Sequence, residues 1–394
     1  MKRNVIIGLT GSFGSGCTTV SKLLQRQGFK IISTSSFLEK EAKRQGYNPT
    51  KLPRKKRRKI LQDIGNQLRE KDPGILIKKA LSSVDLNNNI VIESIKNPGE
   101  IRELNKISNS YIIALDTNFE IRADRILNKE YNGDRRQFEI DDQRERDEGI
   151  THGQRVQECV DLSDIIIRND KKINTPQEQA LFETKVTQYI RLIREPGYRY
   201  PTDMELWMNN AYSISLQSYC LKRQVGAIII KEGYEVAAGK NDVPSNDRAC
   251  EIEYQGECYR DELRKRIKFC LNCGKRLNSD FHCKDIDCEY NKNNLIKLLD
   301  KCRSLHAEEN AILQAARLGG VSLKNSIMYT TTFPCKLCAN KIISVGIKEI
   351  VYVEAYPDQD SVDFFNKHSK QVKITKFEGV KASAFYNLFK GQKN

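Results

Sequence analysis

Four side chains in the C-terminal half have the types and spacing of a hydrolytic metal centre. His306 is followed two residues later by Glu308, and Pro334-Cys335-Lys336-Leu337-Cys338 supplies two closely spaced thiols. One imidazole and two thiolates make three protein ligands and leave the fourth tetrahedral position open, the arrangement of a catalytic rather than a structural zinc. Glu308 stands beside the ligand histidine and has the chemistry of a general acid and base. Both ligand groups open predicted helices, where unpaired N–H groups and the dipole favour thiolate over thiol. The competing arrangement is a closed structural zinc with Cys302 as fourth ligand, which leaves Glu308 and Pro334 without a purpose.

A second set, Cys270, Cys273, Cys283 and Cys288, has the spacing C-x2-C-x9-C-x4-C and can close a four-thiolate structural zinc. Such a site is chemically silent. Its use is to fold an insert too poor in apolar residues to offset its own ordering entropy. Cys250, Cys258, His282 and Cys302 are alternative ligands, and reduced, unliganded thiols on a loop are the alternative to metal. Close pairing of the cysteines suits metal in a reducing cytoplasm better than disulfides.

Near the start, Gly11-Ser12-Phe13-Gly14-Ser15-Gly16-Cys17-Thr18 follows an apolar strand and precedes a helix, the setting in which a P-loop cradles phosphates with backbone N–H groups. Cys17 occupies the place of the P-loop lysine. Anion or nucleotide binding can survive that change, but phosphoryl transfer should be badly weakened unless another cation such as Arg122 or Arg125 serves. Lys51 to Lys59 carries seven basic residues among nine. It reads as a solvated helix entry, with a polyphosphate or RNA contact as the sharper alternative.

The elements that must position these groups divide the chain in two. Strands at Val5–Leu9, Ile31–Ser33, Asn89–Glu93, Tyr111–Leu115 and Asp164–Arg168 alternate with helices, starting with Thr18–Gln27, which predicts a parallel α/β domain over 1–170. Residues 171–200 read as a connecting helix and linker. A second α/β domain over 201–394 has a strand at Val225–Ile230, a cysteine-rich insert over 246–302, a helix from Ala307, a strand at Ile327–Thr330, a helix from Cys335 and a strand at Glu349–Glu354.

The 394 residues suffice for two cores, and 39% hydrophobic with 30% charged residues describes a globular chain. No apolar run is long enough to span a bilayer. A net charge of +15 favours polyanionic company such as nucleotides, RNA or DNA.

His306-Ala307-Glu308 with Pro334-Cys335-Lys336-Leu337-Cys338 fits the signature of the zinc deaminases. Ser218–Ala227 (SYCLKRQVGA), Gly239–Pro244 (GKNDVP), Ser304–Ala311 (SLHAEENA) and Thr330–Ala339 (TTTFPCKLCA) resemble the deoxycytidylate deaminase family. Ile347–Pro357 and Phe377–Phe389 resemble its anti-phage dCTP deaminases, which also carry a P-loop domain in front. Val91–Glu93, Asn97–Glu100 and Asp164–Asp170 resemble nucleoside-monophosphate and dephospho-coenzyme A kinases, which implies a kinase-derived nucleotide sensor or assembly module, with a degenerate fold that binds nothing as the alternative.

The resemblance implies an α/β, cytidine-deaminase-like C-terminal domain and zinc-dependent conversion of dCTP or dCMP to the deoxyuridine nucleotide. It further implies a homo-oligomer, depletion of dCTP during phage infection and restraint by a small RNA, and with the four-thiolate set of the insert the expected cofactors are one catalytic and one structural zinc. By the same carry-over, Asn241 contacts the sugar and the backbone amide of Ala307 the pyrimidine; Asn241 reads otherwise as a turn residue. Two rival functions stand beside this one: deamination of cytosine or adenine within RNA or single-stranded DNA, and a non-enzymatic nucleotide- or RNA-binding regulator. The first needs aromatic platforms, for which Tyr329 and Phe333 are the candidates, and the second predicts loss of the catalytic carboxylate.

Overall fold

The computed structural model describes residues 4–171, 175–266, 268–270, 273–278, 283, 288, 302–355 and 359–390. These form two α/β units, one made of 1–205 with 378–394 and one of 206–377. Among the described residues no helix is long and apolar enough to cross a membrane.

In the first unit the apolar runs become six strands: β1 (Ile6–Thr10), β2 (Lys30–Ser33), β3 (Ile90–Ile95), β4 (Ser110–Asp116), β5 (Ile165–Arg168) and a short β11 (Gly379–Val380). They are ordered β11-β5-β4-β1-β3-β2. All pairings are parallel except β11 with β5. Ile6 to Thr10 are all buried, as a central parallel strand covered on both faces requires. One face is covered by the helices Cys17–Arg26 and Pro176–Arg194, which contribute Val20, Leu24, Phe182, Val186 and Ile190 to a single core cluster. The second helix starts at Thr175, whose side chain and Glu178 form a capping box.

In the second unit β6 (Gly226–Lys231) and β7 (Tyr234–Lys240) form a hairpin, and β8 (Ile327–Thr332), β9 (Glu349–Glu354) and β10 (Lys373–Lys376) complete a sheet ordered β10-β9-β8-β6-β7. Glu232 and Gly233 turn the hairpin with φ of 53° and 82°, the paired left-handed conformation that suits a two-residue turn. Two glycines set the helices on this sheet. A Cβ on Gly239 of β7 would lie 2.2 Å from the carbonyl oxygen of Ala307, and one on Gly226 of β6 would lie 2.0 Å from that of Ala211. Backbone-to-backbone contact at Gly239 therefore brings the start of the helix Ala307–Leu318, and with it His306 and Glu308, against the sheet.

Candidate metal centre

His306 and Cys335 each occupy the N-cap of a helix, Ala307–Leu318 and Lys336–Ser344, and Cys338 lies in the first turn of the latter. The three ligand atoms lie within 4.8 Å of one another. His306 Nδ1 is 3.3 Å from Sγ of Cys335 and 3.3 Å from Sγ of Cys338. A tetrahedral zinc with ordinary bond lengths needs nitrogen–sulfur edges of about 3.5 Å, so this soft donor set fits such an ion. Cys302 is not among the clustered ligand atoms, although it lines the same cavity. The electrostatics suit a thiolate site. The Cys338 thiol, aided by the His306 imidazole, pulls the Cys335 thiol down to about 4, while Cys338, partnered by that thiolate and buried, is pushed up.

Glu308 is 4% exposed. Burial pushes its carboxyl up, against the opposing pull of His306. The hydroxyl of Thr330, on β8, is 3.4 Å from its Oε1, and no lysine or arginine pairs with it among the described residues. A cavity of about 120 Å³ opens over these groups, lined by His306, Glu308, Cys335, Ala307, Asn241 and Phe333, with Lys222, Arg223 and Arg260 also on its wall. Ala307 begins its helix, so its N–H is one of the donors with no partner inside that helix. Asn241 accepts from the Val225 amide at 2.7 Å and donates to the Arg223 carbonyl at 2.7 Å. It thus braces the lead into β6, with one lone pair and one N–H hydrogen left for a ligand.

Cys270, Cys273, Cys283 and Cys288 converge as well, their sulfurs all within 4.8 Å of one another. This is a cysteine cluster able to chelate a metal, and its three buried members with Leu277 form a small core of their own. Cys250, Cys258 and Cys302 stand outside the cluster and line a separate small cavity beside Cys220. His282 lies outside the described residues.

The loop Gly11–Thr18 wraps the start of the helix Cys17–Arg26 and lines a cavity of about 1240 Å³. Gly14 and Gly16 adopt φ of 76° and 110°, and a Cβ on Gly16 would lie 2.7 Å from the Asn169 side chain, so glycine is required there. Cys17 donates back to the Thr10 carbonyl at 3.3 Å, and burial pushes its thiol up. It does not reach outward as a lysine would. Arg122 is tied to Asp142 and to the Phe13 carbonyl, while Arg125 donates to the Gly14 carbonyl at 3.0 Å. Sequence reasoning missed Lys96, whose Nζ donates to the Gly11 carbonyl at 2.8 Å and pairs with Glu145 at 2.6 Å. From the basic run, Arg57 and Arg58 line the same cavity, paired with Glu39 and with Glu130 and Asp141.

Residues 201–354 match the family model for the cytidine and deoxycytidylate deaminase zinc-binding region, and residues 7–152 match one for an AAA domain. A deoxycytidylate deaminase of Schizosaccharomyces pombe is 30% identical over 197 residues, 50% of this chain and 48% of that protein. The deoxycytidylate deaminase of Enterobacteria phage T4 is 30% identical over 191 residues, 43% of this chain and 92% of that protein. Among solved structures, a dCMP deaminase from cyanophage S-TIM5 in complex with dCMP and dUMP is similar at 24% identity and a TM-score of 0.30, over 46% of this chain and 100% of that one. The chain spans about half the length of the yeast relatives it matches. With a phage relative aligned over almost its whole length and three side chains able to hold a metal assembled in the matched region, the chain belongs to the cytidine and deoxycytidylate deaminase family.

Proposed function

We propose that this protein is a zinc-dependent hydrolase that deaminates free deoxycytidine nucleotides, dCTP or dCMP, to the deoxyuridine nucleotide and ammonia. The observation that carries the reading is a buried carboxyl, Glu308, placed beside a three-ligand histidine–thiol set at a cavity. His306, Cys335 and Cys338 would hold the ion, which when bound supplies a Lewis acid that lowers the pKa of water towards ~7. Glu308 takes a proton from the attacking water and delivers it to the ring nitrogen next to the amine-bearing carbon, then carries the proton of the newly attached hydroxyl to the amine, which leaves as ammonia while the carbonyl forms. The Ala307 amide and Asn241 would orient pyrimidine and sugar. Water adds and ammonia leaves, so no other co-reactant is needed.

Free nucleotides are favoured over nucleic acid because Tyr329 and Phe333 are each only 6% exposed. Phe333 packs edge-on against Tyr352 and Phe365. Neither ring is available on the surface to stack the neighbours of a flipped base. A second ion held by Cys270, Cys273, Cys283 and Cys288 would be structural. A nucleotide at the Gly11–Thr18 loop, restraint by a small RNA, homo-oligomeric assembly and a cytoplasmic role in limiting phage replication by depleting dCTP belong to the same proposal and rest on the family resemblance.

The test is incubation of zinc-replete protein with dCMP, dCTP, CTP and a cytosine-containing oligonucleotide, following ammonia and the uracil product. Turnover of a deoxycytidine nucleotide is expected. Turnover of the oligonucleotide alone, or of nothing, overturns the reading.

A further inference from the structure

Three cations line the cavity that contains His306 and Glu308, namely Lys222, Arg223 and Arg260, against a single carboxylate, Glu308, among its described lining residues. Two of the three are already committed. Arg223 donates to Glu354 at 2.6 Å, and Lys222 pairs with Asp261. Arg260, half-buried near the start of the helix Tyr259–Arg266, has no carboxylate partner among the described residues. The Lys222–Asp261 pair adjoins it in sequence and fastens that helix to the segment leading into β6, so the insert is held with its arginine on the cavity wall.

A nucleotide differs from its nucleoside by a phosphate carrying a charge of about −1.5 to −2 at neutral pH. Bringing that charge to a partly enclosed wall is costly without a cation, and a guanidinium answers it with two parallel N–H bonds. A cation already neutralised by a carboxylate answers it less well. We propose that Arg260 binds the phosphate group of the substrate and so makes the site select a nucleotide over the free nucleoside; the inference rests on the reading of this cavity as a pyrimidine nucleotide deaminase. It also gives the cysteine-rich insert a part in specificity, because its helix carries the selecting residue.

The test compares dCMP with deoxycytidine in the full-length zinc-replete protein and its Arg260→Ala and Arg260→Lys variants. In R260A the ratio of kcat/KM for dCMP to that for deoxycytidine should fall roughly tenfold to a hundredfold, the worth of a charge-assisted contact. The loss should fall mainly in KM, with metal content unchanged, and R260K should recover part of it. A ratio unchanged in R260A, or equal loss on both substrates, overturns the proposal. Equilibrium binding of the two ligands in a Glu308→Gln background separates this outcome from failure of the parent reading. If the parent protein turns over neither substrate yet prefers dCMP in binding, and R260A abolishes that preference, the phosphate site stands and deamination falls. If the parent deaminates dCMP but R260A binds both ligands with the parent's preference, the phosphate site alone falls.

Discussion

At the scale of the residue, the proposed deamination asks Glu308 to accept a proton and then give it up within one turnover. Its burial beside His306 and its 3.4 Å contact with the Thr330 hydroxyl give it a fixed, largely dry position from which to do so. Replacing Glu308 by Gln removes the exchangeable carboxyl and none of the three candidate metal ligands. Turnover should drop at least ~100-fold, the low end of what a positioned acid–base group contributes, while elemental analysis finds the metal content of the parent. Loss of metal together with activity would make Glu308 a structural support instead. The four residues concerned were legible because each pair is local, 306 with 308 and 335 with 338, and both helix starts leave a sequence signal. Thr330, Lys96 and Arg260 left none. Lys96 reaches the Gly11 carbonyl across 85 positions, and no periodicity encodes a contact of that kind.

At the scale of the element, the cysteine-rich insert shows little apolar burial around its four clustered cysteines among the described residues. Among the described residues its local core is Cys270, Cys283 and Cys288 around one aliphatic side chain, Leu277. Two short bridges, Phe269 with Arg276 and Leu277 with Cys283, are its sheet-like contacts there. Ordering a backbone residue costs about 1–2 kcal/mol, and a metal held by the four cysteines, as proposed above, would offset part of that cost. Cys283 lies 3.4 Å from Cys273 and is 4% exposed, and Cys270 lies 3.7 Å from Cys288. Substituting Cys283 by Ser should therefore lower bound zinc by one ion per chain, leave the His306 site loaded, and open the 246–302 segment to limited proteolysis. Unchanged zinc and an unchanged cleavage pattern would mean that the thiols fold the insert without an ion. The number and spacing of these thiols could be read from the sequence; which of them stay buried, and that Cys250, Cys258 and Cys302 stand apart, could not, because the intervening polar residues carry no period.

At the scale of the whole molecule, the end of the chain completes the first unit. Gly379 and Val380 pair antiparallel with Ile166 and Ile165, and Ala384 and Leu388 enter the same core as β1. Glu205 fixes this return. Its fully buried carboxylate takes a fork of two 2.7 Å bonds from Arg199 and accepts from the amides of Thr202 at 2.8 Å and Val380 at 2.9 Å. Gly379 passes so close that a Cβ there would lie 2.4 Å from Glu205 Cγ. A strand added from more than 200 positions away has no local signature, whereas the parallel strands β1 to β5 announce themselves as apolar runs. Burial alone would push the Glu205 carboxyl up, but the Arg199 fork and the two amides outweigh it and hold it below the usual carboxylate range. A carboxyl held low when folded stabilises the fold fully above its unfolded pKa of about 4.3 and loses that contribution as the pH falls through its folded value. Glu205→Gln should thus cost the first unit about 3 kcal/mol at pH 7, since Arg199 is left without its counter-charge. Urea denaturation followed by a probe in that unit should find the gap between parent and variant narrowing below pH ~4. A gap that stays constant from pH 7 to pH 3 would show that the carboxylate's charge is not what holds the chain's end in place.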